Sequence, residues 1–148
     1  MDSIIGKPLT PLHPRRIVCF DTLIPAGFPS PAADYVHNTI DLHERLVHNA
    51  ASTFFVRASG DSMRDAGIVD GSVLVVDASL PPASGHIVVA CIDGKYVVKR
   101  LRHHRGRIEL HSENSLTPYP VLHPSTDLQI FGVVTSHIVE HLKKPRKG

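Results

Sequence analysis

Tryptophan is absent from this 148-residue chain, and aromatic residues of all kinds make up only 5% of it. Its two cysteines, Cys19 and Cys91, are too few for a disulfide framework, and both are expected as free thiols in a reducing compartment. No apolar run approaches the roughly 18 residues that cross a bilayer. Asp2 and the early Pro8 interrupt anything like a secretory signal. A soluble, cytoplasmic protein without a membrane anchor is therefore expected. A large excess of one charge is also lacking: the formal net charge of +2 is too weak to argue for nucleic-acid binding by itself.

What is present divides unevenly. Pro8, Pro11, Pro14, Pro25, Pro29 and Pro31 crowd the first third, and proline removes a backbone donor and restricts its predecessor. Neither a long helix nor a central strand can run through this region. Residues 1–49 read as a flexible arm, in which Arg16–Phe20 could still pair at an edge. A short helical pattern behind an Asp41 cap places Leu42, Leu46 and Val47 on one face.

From Thr53 the texture becomes that of strands, in a domain spanning residues 50–142. Phe54-Phe55-Val56-Arg57 leads into the turn Gly60-Asp61-Ser62-Met63, where Asp61 or Ser62 could cap a single helical turn ending at Gly67. Val73-Leu74-Val75-Val76 is a buried-strand run. Asp93-Gly94 suits a two-residue type I′ hairpin. Counting back from it pairs Ile92 with Lys95, Ala90 with Val97, and Val88 with Lys99. Alternation then sets Lys99 on the face of Val97 and Leu101, an unfavourable place for an ammonium ion. Arg107–His111 gives another strand, 112–126 reads as loop, and 128–140 as a last long strand bent at Gly132. The basic tail 143–148 is expected to be disordered.

A serine hydroxyl becomes a useful nucleophile only when a base takes its proton. Lysine can serve when neutral, and at its ordinary pKa of about 10.4 roughly one in a thousand is neutral near pH 7.4. Burial against apolar neighbours raises that fraction. Backbone N–H groups of the turn around Asp61 and Ser62 could face a developing oxyanion. Taken alone, a serine in such a turn is more often a cap, and a strand lysine more often reaches water.

Gly60-Asp61-Ser62-Met63, Asp70-Gly71 and Val97-Val98-Lys99-Arg100 after the Asp93-Gly94 hairpin resemble the LexA-type self-cleaving serine peptidases. The stretch Ala26-Gly27-Phe28-Pro29-Ser30-Pro31-Ala32-Ala33-Asp34-Tyr35 and the closing Val133-Val134 segment resemble the UmuD branch of that group. The resemblance runs from Pro25 to about Leu142. It implies a mostly β fold shared with LexA C-terminal domains and signal peptidases. Ser62 would be the nucleophile, Lys99 the general base, and Ala26–Gly27 the bond that is cut. It further implies a homodimer whose self-cleavage is stimulated by RecA filaments on single-stranded DNA. The shortened product would join a UmuC-type Y-family polymerase in translesion synthesis during the SOS response. Direct sequence-specific DNA binding is not implied.

Other signals point elsewhere less well. Eleven histidines invite a metal or a Ser-His-Asp reading, but no cysteine or carboxylate pair repeats at ligand spacing, so no metal and no cofactor is expected. A triad cannot be judged from sequence distance. The run Lys99–Arg107 is basic enough to touch phosphates, yet alternation and Gly106 suggest a solvated hairpin tip. The rival functions are a LexA-like repressor fragment and a catalytically idle scaffold of the polymerase complex. The first would require a helical DNA-binding domain ahead of the scission site, which 26 proline-containing residues cannot make. A signal peptidase is disfavoured by the missing anchor.

Overall fold

The computed structural model describes residues 4–6, 16–20, 24–29, 37–124 and 127–142. The basic tail and much of the proline-rich segment lie outside these residues. In chain order the elements are β1 (Ile4–Gly6), β2 (Arg16–Phe20), β3 (His37–Asp41), α1 (Leu42–Leu46), β4 (Thr53–Arg57), a 3-10 turn (Arg64–Ala66), β5 (Val73–Asp77), β6 (Ile87–Ile92), β7 (Lys95–His104), β8 (Arg107–His111) and β9 (Leu128–Ile138). The fold is mostly β. Strands β2 and β3 pair with each other, and the other seven form one sheet in the order β1-β4-β5-β9-β6-β7-β8. Every pairing is antiparallel.

The extended piece at Arg16–Phe20 does pair, and β1 adds an edge to β4. Asp41 caps α1, its Oδ1 accepting from the N–H of His43 and Glu44 at 2.9 and 3.2 Å. The Asp93-Gly94 turn has positive φ at both residues, 49° and 75°, as a type I′ turn requires. It sets the ladder Ile92↔Lys95, Ala90↔Val97, Val88↔Lys99. This is the register that the turn dipeptide dictates, and it places Lys99 without help from distant contacts. Strand β7 runs on to His104, three residues past Leu101 where its apolar alternation ends, because β8 keeps it paired through His104↔Arg107.

Strand β9 joins the two halves of the sheet, lying between β5 and β6. Its ladder slips at two places, between Val89 and Ala90 on β6 and between Val75 and Val76 on β5. Two apolar clusters form on the strands so arranged. One gathers Val56, Ala58, Met63, Ile68, Leu74, Val76 and Val89; the other gathers Val88, Ala90, Leu101, Leu110 and Val133. Met63 and Ile68 come from the segment around Ser62, so the serine's turn is anchored into the core by its own neighbours.

Gly132 lies where the bend was expected and shows why glycine is needed there. A Cβ at this position would stand 2.7 Å from Val76 Cγ1 and 3.0 Å from the Asp77 carbonyl oxygen. The second contact is backbone and cannot rotate away. Gly132→Ala is expected to destabilise the fold by about 1–3 kcal/mol, the usual cost of overpacking, read as a lowered urea midpoint.

Candidate active site

Strand β4 ends at Arg57, and Ala58 continues it by donating to the Ser72 carbonyl at 2.8 Å. The chain then turns: Gly60 has φ 85°, and its N–H donates to Asp70 Oδ1 at 2.8 Å. The helical turn that follows is 3-10, with Met63 at its N-cap, no side-chain cap, and Gly67 closing it at φ 83°. This corrects the expectation that Asp61 or Ser62 would cap it. The Asp61 carboxylate instead accepts from the Tyr119 hydroxyl, and the Ser62 hydroxyl has no hydrogen-bond partner among the described residues. A serine not used as a cap keeps its oxygen available.

The Ser62 turn is stitched to the segment after β8. Glu113 N donates to Ser62 O at 2.8 Å, and Asp65 N donates back to Glu113 O at 2.8 Å. Asn114 Nδ2 donates to Asp61 O at 2.9 Å, and Ser115 N to Asp65 Oδ2 at 2.7 Å. Arg100 on β7 holds the same segment, its Nε 2.6 Å from Glu113 Oε1 and its Nη2 3.1 Å from Oε2. The Arg100 guanidinium, outweighing partial burial, keeps the Glu113 carboxyl below its ordinary value. Both strands that flank the site thus share one support.

Lys99 is buried, at 8% exposure. Its Nζ donates to Ser112 Oγ at 2.7 Å and lies 5.3 Å from the centre of the Tyr119 ring. Burial pushes its pKa below the ordinary lysine value, while the ring face favours the ammonium form. Ser62 and Lys99 line one cleft of about 190 Å³, together with Ala58, Ser59, Gly60, Met63, Val97 and Val98. The two side chains share this cleft without a hydrogen bond to each other. Backbone N–H groups of Asp61, Ser62 and Met63 have no acceptor among the described residues, so the turn offers unpaired donors.

Ala26 and Gly27 lie elsewhere. Residues 24–29 are all exposed, none of them lines the cleft, and nothing crowds Gly27 within 4 Å of its Cα substituent position. The bond expected to be cut is undocked in this structure.

Ser112, the hydrogen-bond partner of Lys99, is the cleft-side residue that the sequence reading missed. The ladder from the Arg105-Gly106 turn pairs Arg100 with His111, and one further step sets Ser112 opposite Lys99. Among the described residues no group of three His, Cys, Asp or Glu is placed to hold a metal ion. Cys19 and Cys91 are free thiols, and among the described residues no helix is long and apolar enough to cross a membrane.

Comparison with known proteins gives the family. The family model described as Peptidase S24-like matches residues 19–135. The chain belongs to that family. ImpA from Escherichia coli is 44% identical over 148 residues, covering 99% of this chain and all of that protein. SamA from Salmonella typhimurium LT2 is 49% identical over 119 residues, 80% of this chain and 82% of the relative. A LexA repressor from Bordetella petrii is 36% identical over 114 residues, 77% of this chain but 47% of the repressor. The S24-family chain is a self-cleaving serine peptidase of the kind found in SOS mutagenesis.

Two outcomes follow from the lysine's setting. A base whose pKa is lowered on folding makes the unfolded chain bind more protons between the folded and the unfolded values. Lys99 therefore detracts from stability at neutral pH, and stability rises as pH climbs through that window towards 10.5. Lys99→Met should raise the urea midpoint at pH 7, with the gain shrinking near pH 10. Ser112→Ala should slow self-cleavage at least tenfold and lower the urea midpoint at pH 7 by the equivalent of about 1.5–3 kcal/mol, because the lost hydrogen bond has a charged donor.

Proposed function

We propose that Ser62 is the nucleophile and Lys99 the general base, and that the bond they cut is Ala26–Gly27. The observation that carries this reading is the shared cleft: a serine with an unpartnered hydroxyl beside a lysine kept from water. With the neutral amine donating one hydrogen to Ser112, its lone pair remains available to the Ser62 proton. Ser62 Oγ then attacks the Ala26 carbonyl, and the Asp61 and Ser62 N–H groups face the oxyanion. Collapse breaks the Ala26–Gly27 bond as the Lys99 ammonium returns its proton to the Gly27 nitrogen. Water, deprotonated by the same amine, releases residues 1–26 from Ser62.

The substrate is tethered. Residues 28–36 lead from the bond to β3, and β3, α1 and β4 carry the chain on to Ser62, so the bond stays attached to its own enzyme. Such a tether gives an effective concentration around the mM scale. Supply of substrate is therefore never limiting. Docking of the 24–29 segment and deprotonation of Lys99 set the rate. A RecA filament on single-stranded DNA would act by raising the docked population, without donating catalytic groups. The cleaved chain, as a homodimer in the cytoplasm, would serve a UmuC-type polymerase in translesion synthesis. Residues 1–49 act in this scheme as the substrate arm, 50–142 as the peptidase domain and 143–148 as a tail.

Incubation at pH 10 without any activator, followed by mass spectrometry, tests this. The expected product begins at Gly27, and its rate rises with pH from 7 until Lys99 is deprotonated. Ser62→Ala should give no product, and Lys99→Ala should lose about 10²–10⁴-fold, the range for a general base. A flat profile between pH 7 and 10, or cleavage by the Ser62→Ala chain, would overturn the assignment.

A further inference from the structure

Past the buried Leu101, strands β7 and β8 continue as a narrow ribbon that takes no part in the cleft. Arg102, His103, His104, Arg105, Gly106 and Arg107 are all exposed. Residues 102–108 contain no acidic side chain. Glu109 stands across the ladder from Arg102 and feels the charge of His104, but its Oε2 meets His111 Nε2 at 2.8 Å; Glu113 is gripped by Arg100 while also feeling the charge of Arg102. No ion pair among the described residues joins Arg102, Arg105 or Arg107 to a carboxylate.

This concentration is local, since the chain as a whole holds 16 basic against 14 acidic residues. It is also held in shape. Gly85 N donates to Leu101 O at 2.8 Å, Arg100 Nη1 to Gly85 O at 2.8 Å, and His103 N to Ser84 Oγ at 3.0 Å. At the tip, Arg105 occupies the left-handed region with φ 48°, a conformation that disfavours a long side chain. Across the ladder His104 faces Arg107. Solubility alone asks for charges of both signs mixed together, and this tip carries only one.

From these features we infer that the β7–β8 tip is a contact for the phosphate backbone of nucleic acid, independent of base sequence. Its three cations of fixed charge are arginines, whose planar fork matches phosphate oxygens. Nothing apolar is exposed between positions 102 and 107, so the tip has no group to bury in a bilayer. Two exposed imidazoles, His103 and His104, flank the arginines as surfaces on which unstacked bases can lie.

The test is fluorescence anisotropy of a labelled oligo-dT against the full chain carrying Ser62→Ala, so that the protein stays whole. Binding should weaken steeply as salt rises from about 50 to about 200 mM. Arg102→Ala/Arg105→Ala/Arg107→Ala in the same background should bind at least tenfold more weakly. The slope of log K against log salt should become shallower by about 2, near 0.7 per lost cation. In an otherwise unaltered chain the triple variant should still cleave itself at pH 10 at the unaltered rate. Arg105→Gly removes one cation while relieving the positive φ, so it should lose affinity without losing urea resistance. Equal affinity of the triple variant, no salt-dependent binding by the parent, or equally tight capture of polyglutamate would overturn the inference, the last in favour of an acidic protein partner.

Discussion

An amine kept out of water at the end of a rigid ladder is the constraint on which the rest depends. The type I′ turn at Asp93-Gly94 fixes the register of β7 on β6, and the register fixes Lys99 beside Val97 and Leu101. Desolvation lowers the lysine pKa, which is what the proposed role of Lys99 as base to Ser62 requires. The stitches from 112–115 to the Ser62 turn serve the same end from the other side. They hold the Ser62 turn against the strand that carries Lys99. The proposed chemistry rests on these two segments being tied to one another, because neither serine nor lysine is reactive in its usual setting.

The price of that arrangement is thermodynamic. A buried ammonium is unfavourable, and the Ser112 hydroxyl together with the Tyr119 ring supplies only partial replacement for water. The Asp61 carboxylate beside Tyr119 holds its phenol above the ordinary value, so the ring stays neutral and hydrogen-bonded over the amine. Meanwhile the segment 24–29 stands exposed, with Phe28 at 89% and Ile24 at 86%. The cleft and the segment proposed as its substrate are unengaged in this structure. Such a pair is suited to control through docking, since a modest change in docked population changes the rate in proportion.

Much of this was legible in the residues because the deciding signals are local. Asp93-Gly94 announces its turn and thereby the pairing of Val88 with Lys99; the Val73–Val76 run announces a strand buried on both faces. Ser62 and Lys99 stood out through the company they keep. Ser112 did not, because its role comes from the pairing of β7 with β8 beyond the point where apolar alternation stops. The role of Tyr119 was equally hidden. It reaches Asp61 across 58 residues, and a long-range hydroxyl–carboxylate contact leaves no periodic trace. The capping expectation failed for a related reason: Asp61 found a better partner in Tyr119 than its own backbone, and Met63 took the cap position by burying its side chain.

The position of β9 also bears on how the molecule is made. Strands β4 and β5 carry the serine's side of the cleft, and β6, β7 and β8 carry the lysine's; β9 is hydrogen-bonded between β5 and β6 and unites them in one sheet. During synthesis the ribosome delivers this strand after all the others. Until it emerges, the turn that carries Ser62 and the strand that carries Lys99 are joined only through the 112–115 segment, and the sheet is still in two parts. Vectorial assembly thus leaves the closing of the sheet to the last strand made.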